Sequence, residues 1–212
     1  MKFSTQRIVT ILTLTACLGG GLAACAPIIM GGAVMSSLMV TDRRTSGTQV
    51  EDEGIELKAA SRIRDNLGER VHVNVTSYNR QVLLTGEVPT AQDKQLAEQV
   101  VSRVENVRAI VNELDIQANT TFSQRSSDVI ITGRVKAAMV DSKDLFANSF
   151  KVVTERGTTF LMGRVTQREA NRATDIVRGV DNVQKVVRVL EIISEEELQG
   201  LLPKPAPDEV KK

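Results

Sequence analysis

Hydrophobic and polar positions along this chain follow two periodicities, and the same succession of them occurs twice. Ala59, Ala60, Ile63 and Leu67 return at helical spacing, which predicts an amphipathic helix with one apolar face. Val71, Val73 and Val75 then alternate with His72, Asn74 and Thr76, the period of a half-buried strand. Tyr78-Asn79-Arg80 turns the chain into a second strand over Val82–Val88, and Arg156-Gly157 makes the matching turn in the second half. Thr90 and Thr166 look like helix N-caps, each with an acid three residues on, Asp93 and Glu169; the second is a full capping box. A helix follows each, to Val104 and Val180, and then a third strand rich in Val, Leu and Ile. The predicted order is α-β-β-α-β, twice. That is an α+β fold with two three-stranded mixed sheets, each packed against helices on one face.

The two halves also match residue by residue. Gly86-Glu87-Val88 corresponds to Gly163-Arg164-Val165. With a one-residue gap, Ala97, Val100, Val101, Val104, Asn106 and Val107 fall on Ala173, Ile176, Val177, Val180, Asn182 and Val183. Val111, Leu114 and Ile116 then fall on Val187, Leu190 and Ile192. So much agreement in register marks a duplication, with units of roughly 60 residues, small but able to fold alone. The units are placed at 55–117 and 126–193, with Ser126 and Ser127 as the N-cap of the second. Ser194 to Glu197 reads as a further capping box, opening a short helix over 194–202 that Pro203 stops. The remainder, 203–212, carries Pro203, Pro205 and Pro207 among charges and reads as a disordered tail.

Ahead of the repeat, Lys2 and Arg7 precede an apolar run from Ile8 to Leu18 and then Gly19-Gly20-Gly21, the order of a secretory signal over 1–24. The cleavage site reads Leu22-Ala23-Ala24-Cys25, which resembles the lipobox of bacterial lipoproteins. That resemblance implies acylation of Cys25, and Ala26 rather than Asp after it favours transfer to the outer membrane. A competing reading is one uncleaved transmembrane helix, since Ile8 to Val40 holds no charge. Pro27 and five glycines in that stretch argue against an unbroken span. Residues 25–54 follow as a lipidated tether, apolar to Val40 and then a polar linker from 41 to 54.

Composition removes most chemistry. Lys plus Arg is 27 against 26 for Asp plus Glu, so no global field recruits nucleic acid. One His and two Cys, with 3% aromatics and no Trp, leave no disulfide framework, no zinc-finger spacing and few stacking platforms. His72 lies in the polar phase of its strand and reads as a solvated side chain rather than a ligand or base. Gly86 and Gly163 lack a phosphate-binding pattern and read as sites of a bulge or of close helix–strand packing. No catalytic residue, metal or cofactor is expected, and the protein reads as a non-enzyme.

The first helices of the two units supply an internal comparison. Placing Ile63 opposite Val135, the core stripes are Ala59, Ile63 and Leu67 against Ile131, Val135 and Met139. On the far face Ile130 then replaces Lys58, Ala137 replaces Asp65 and Val140 replaces Gly68. The second helix is thus apolar on two sides, with Arg134 and Lys136 at the margin, and it begins at Val129 without an aromatic anchor. Val129, Ile130, Gly133, Ala137, Met139 and Val140, with Arg134 and Lys136, form the candidate surface for a lipid interface. Packing of this face on the first domain, or on a protein partner, are the competing readings.

The repeated Gly-x-Val before a helix, the α-β-β-α-β order and the lipobox together resemble the BON-domain family of outer-membrane lipoproteins. Phe160-Leu161-Met162-Gly163-Arg164-Val165-Thr166-Gln167-Arg168-Glu169-Ala170 is the most specific stretch, and Gln49-Val50-Glu51-Asp52 is reminiscent of the family's linker. The resemblance implies a protein anchored at the outer membrane through Cys25 and facing the periplasm. It further implies that the first helix of the second BON domain binds anionic phospholipid such as phosphatidylglycerol. Support of envelope integrity, often at the division site, is the implied role. The alternative is a periplasmic scaffold for another envelope or division protein.

Overall fold

Both units form their expected elements, and the computed structural model describes residues 42–201. The signal peptide, Cys25 with its apolar tether, and the tail 203–212 lie outside the described residues. The first domain contains α1 (Ser46–Leu67), a 3-10 turn (Gly68–Arg70), β1 (His72–Tyr78), β2 (Gln81–Val88), α2 (Ala91–Ser102), β3 (Ala109–Asn112) and β4 (Asp115–Ile116). The second contains α3 (Phe122–Asp141), β5 (Phe150–Glu155), β6 (Thr158–Thr166), α4 (Gln167–Arg178) and β7 (Lys185–Ile193), and α5 (Glu195–Leu201) follows. Each sheet is mixed. β2 pairs antiparallel with β1 and parallel with β3 and β4, and β6 pairs antiparallel with β5 and parallel with β7. The first sheet has four strands rather than three, because its last strand is interrupted where Leu114 drops into the core.

Local chemistry explains these elements. Asn79 and Arg80 both adopt positive φ (51° and 63°), as do Arg156 and Gly157 (50° and 72°), the two-residue turn whose twist suits a hairpin. Each turn is tied to the first helix of its own domain by a buried aspartate. Asp52 accepts from the backbone N–H groups of Asn79 and Arg80, both at 2.8 Å, and Asp128 from those of Arg156 and Gly157, both at 2.9 Å. Gly86 and Gly163 have a different task from the one expected. A Cβ at Gly86 would lie 2.0 Å from the carbonyl oxygen of His72, and at Gly163 2.6 Å from that of Ser149. They admit the backbone of the neighbouring strand, not a helix.

Three boundaries differ from expectation. α1 starts at Ser46, capped by Thr45, so the polar linker placed at 41–54 is helical over most of its length. α3 starts at Phe122, where Thr121 and Gln124 form a capping box; Ser126 lies inside the helix and donates to the Phe122 carbonyl. Ser194 accepts from the Glu197 N–H, but the Glu197 carboxylate pairs with Arg164 instead of returning to the cap. Residues 42–45, ahead of the helix, join a polar network. Arg43 makes a bidentate pair with buried Glu169 (2.6 and 2.8 Å) and Arg44 bonds Asp42 and Asp52 while lying 4.2 Å above the Tyr78 ring.

Three apolar layers hold the fold. Ile55, Ala59 and Ile63 of α1 and Val100 and Val101 of α2 pack on Val82, Leu84 and Val88 of β2. Ile131, Val135 and Met139 of α3 and Ala173 and Val177 of α4 pack on Leu161 and Val165 of β6. The third layer joins the domains. Tyr78 and Leu83 from the first sheet meet Phe160, Met162 and Val189 from the second. The sheets face each other and the helices lie outside, which is why Val82-Leu83-Leu84 and Phe160-Leu161-Met162 are unbroken apolar runs rather than alternating ones. Lys151 to Glu56 (2.6 Å) and Asn79 to Glu191 (2.7 Å) bridge the rim of this interface.

Candidate functional site

α3 is built from the residues upward as a helix with one buried and one bare face. Asp128 and Asp52 do the same work in the two domains, so they are the matched pair, and Ile55, Ala59 and Ile63 correspond to Ile131, Val135 and Met139. This moves the comparison of first helices by one turn from the alignment that set Ile63 against Val135. The helices match at their starts; α1 runs two residues further, to Leu67, whereas α3 ends at Asp141 and residue Leu145 of the following loop enters the core. In the corrected register Val129 stands where the first domain has Glu53, Ile130 where it has Gly54, and Val140 where it has Arg64. The replacement of charge by valine is sharper than in the original alignment.

Met139 leaves the candidate surface. It is 1% exposed in the helix–sheet core, because it repeats with Ile131 and Val135 on the inward face. Val129 (72% exposed), Val140 (67%) and Ile130 (56%) are bare, as are Gly133, Arg134, Lys136 and Ala137. To these the structure adds Phe122, 83% exposed. At about 100° per residue Phe122, Val129, Gly133 and Val140 lie within roughly 40° of one another. The expectation of a helix starting at Val129 with no aromatic residue is therefore corrected: the helix begins at Phe122, an exposed aromatic. The sequence signal for this start is Thr121-x-x-Gln124, a capping box that lies ahead of Ser126 and Ser127. Phe146, in the loop after α3, is half exposed as well.

The charges around this stripe are biased to one sign. Lys136 lies close to its centre line, Arg134 and Arg125 on opposite flanks, and Arg125 donates to the Thr120 carbonyl at 3.0 Å. Of the helix's two acids, Asp128 is buried on the hairpin turn and Asp141 ends the helix. Among the described residues the first domain leaves this stripe exposed, and it meets the second domain through the sheets. Cys25 lies outside the described residues. Among the described residues no helix is long and apolar enough to cross a membrane.

His72 is a second correction. It is not a solvated strand side chain: its ring Nδ1 lies 2.9 Å from the Glu87 carboxylate, and Glu155 of the second domain stands close by. Burial pushes the Glu155 carboxyl above its ordinary value against the hydrogen bond from Asn74, with the nearby Glu87 charge adding to the rise. The partners of His72 are far away in sequence, which is why alternation along one strand could not show them. Beside them a cleft of about 380 Å³ is lined by His72, Asn74, Arg125, Asp128, Val129 and Glu155, among others.

With this geometry in view, comparison with known proteins is direct. The BON-domain family model matches residues 51–118 and again 127–194. The chain is 36% identical over 174 residues to outer membrane lipoprotein DolP of Haemophilus influenzae, covering 81% of this chain and 90% of that protein. It is 33% identical over 154 residues to the 21 kDa hemolysin of Actinobacillus pleuropneumoniae, covering 72% and 79%. Osmotically-inducible protein Y of Escherichia coli is 27% identical over 145 residues, covering 66% and 72%. The similarity to DolP, along most of both chains, assigns the protein to the outer membrane. Two matched segments, each folded as α-β-β-α-β, make this chain a member of the BON-domain family, with two copies of the domain.

Proposed function

We propose that the protein is a lipid-anchored, non-enzymatic binding protein of the periplasmic face, acylated at Cys25, whose α3 reads anionic phospholipid. Its role in this reading is to support outer-membrane integrity, at division sites among others. The observation that carries the reading is the bare apolar stripe of Phe122, Val129 and Val140 on a helix whose opposite face is core. From Phe122 to Val140 the stripe runs about 27 Å, long enough to lie in the headgroup plane as an interfacial helix. Arg125, Arg134 and Lys136 flank it, each worth about 1 kcal/mol at an anionic surface. Together that is roughly a hundredfold preference for a charged membrane. A tether at Cys25 raises the local concentration, so weak contact suffices.

The test is co-sedimentation of residues 42–201, which contain all three apolar layers, with vesicles containing or lacking phosphatidylglycerol. Binding that requires phosphatidylglycerol, weakens with salt and is lost in Val129→Glu/Val140→Glu is the expected result. Failure of the folded protein to bind either vesicle overturns the reading. The same stripe would then serve the alternative, docking of another envelope protein.

A further inference from the structure

We propose that His72, Glu87 and Glu155 form a divalent metal site, of the kind that takes zinc, closing the interface between the two BON domains. The donors come from three strands: His72 from β1, Glu87 from β2 directly opposite it in the ladder, and Glu155 from the end of β5 in the second domain. One ligand atom from each lies within 4.8 Å of the others. Zinc holds imidazole nitrogen and carboxylate oxygen at about 2.0–2.2 Å, so small side-chain rotations close the set around one ion. An imidazole with two carboxylates is a donor set for a transition ion; magnesium and calcium take oxygen cages.

The second observation is a buried carboxylate oxygen that accepts no hydrogen bond among the described residues. Glu87 is fully buried, and its Oε2 accepts from the Thr120 N–H (3.1 Å), the Thr120 hydroxyl (3.2 Å) and His72 (2.9 Å). Its Oε1 is buried and accepts no hydrogen bond among the described residues. The nearest cation, Arg156 Nη1, stands at 3.7 Å, beyond hydrogen-bond length. A buried carboxylate oxygen left this way is costly, and a metal ion is one group that would satisfy it. The surroundings suit a ligand set. Thr120 orients Glu87, and Asn74 donates to Glu155 at 2.8 Å, each fixing a carboxylate from outside. The cleft beside His72 and Glu155 gives entry and room for the water that completes four-coordination. On binding, zinc would take a nitrogen lone pair of His72 and one oxygen of each carboxylate. Two carboxylates balance the ion's two charges.

The experiment is calorimetric titration of zinc chloride into the full chain, purified in detergent and stripped with a chelator. One zinc per chain, with about micromolar affinity or tighter, is expected. Saturating zinc should raise the thermal midpoint, and magnesium at the same concentration should not. His72→Gln and Glu155→Gln should each weaken binding about tenfold or more. Circular dichroism of the zinc-free variants establishes that they are folded; should His72→Gln fail to fold, the near-isosteric Glu155→Gln decides alone. Absence of zinc binding by the folded chain overturns the proposal. So does binding unchanged in Glu155→Gln, which would mean adventitious zinc at the surface.

Discussion

At the scale of single residues, the buried aspartates Asp52 and Asp128 tie each hairpin turn to the first helix of its domain. Asp52 accepts the Ser77 hydroxyl (2.7 Å), two backbone N–H groups of the turn and the Arg44 guanidinium (2.8 Å). Burial alone would raise its carboxyl, but these donors together hold it below the ordinary carboxylate value. Glu169, in the capping box of α4, is held in a similar way. Burial there is outweighed by Arg43 and the Thr166 N–H, and its carboxyl is also held low. A carboxyl depressed in the folded state stabilises above its unfolded pKa, near 3.9 for Asp, and loses that contribution as pH falls toward its folded value. Asp52→Asn should therefore cost about 2–4 kcal/mol at pH 7, since Arg44 loses its buried charge partner. Urea unfolding at pH 7 and at pH 3 should show the gap to wild type narrowing at the lower pH; an equal gap at both would contradict this account.

Among the elements, α3 is where two demands meet. Its inward face repeats the core pattern of α1, and its outward face departs from α1 at Val129, Ile130 and Val140. A duplicated fold needs only the first of these, so the departure is what points to function. Phe122 gives the cleanest test, because an 83% exposed side chain contributes little to folding. Phe122→Ser should change stability by less than about 0.5 kcal/mol. On the lipid reading it should also lower affinity for phosphatidylglycerol vesicles by about tenfold, the loss of burying one aromatic side chain. Thermal melts and vesicle sedimentation on the same sample separate the two effects. The start of this helix was the least legible boundary, because two serines near the apolar run compete with Thr121 as caps. The reciprocal Thr121–Gln124 bonds, seen in three dimensions, decide between them.

Across the whole molecule, the sheet-to-sheet layer turns two small domains into one body. Each domain alone would leave an apolar sheet face in water: Leu83 and Val111 on one side, Phe160, Met162 and Val189 on the other. Packing them together removes that exposure and leaves the outer helices free for other contacts. Phe160→Ala should cost about 3–5 kcal/mol, the range for truncating a buried aromatic. Scanning calorimetry should show one unfolding transition for wild type and two for the variant, as the domains uncouple. A single transition, shifted but undivided, would mean that the polar rim suffices to couple them.

Period and repeat in the sequence determined the element order, the duplication, the caps at Thr90 and Thr166 and the outward bareness of Val129 and Val140. These depend on neighbours a few residues apart, and local spacing records such neighbours directly. The tertiary structure alone decided that the sheets face each other, that Met139 is core, that Asp52 and Asp128 set the register of the repeat, and that His72 meets two buried carboxylates. Each of those facts joins residues distant in the chain: Glu87 lies across a strand pair from His72 and Glu155 in another domain. No periodicity along one segment carries the position of a partner on another, so only the folded chain could bring those groups to one place.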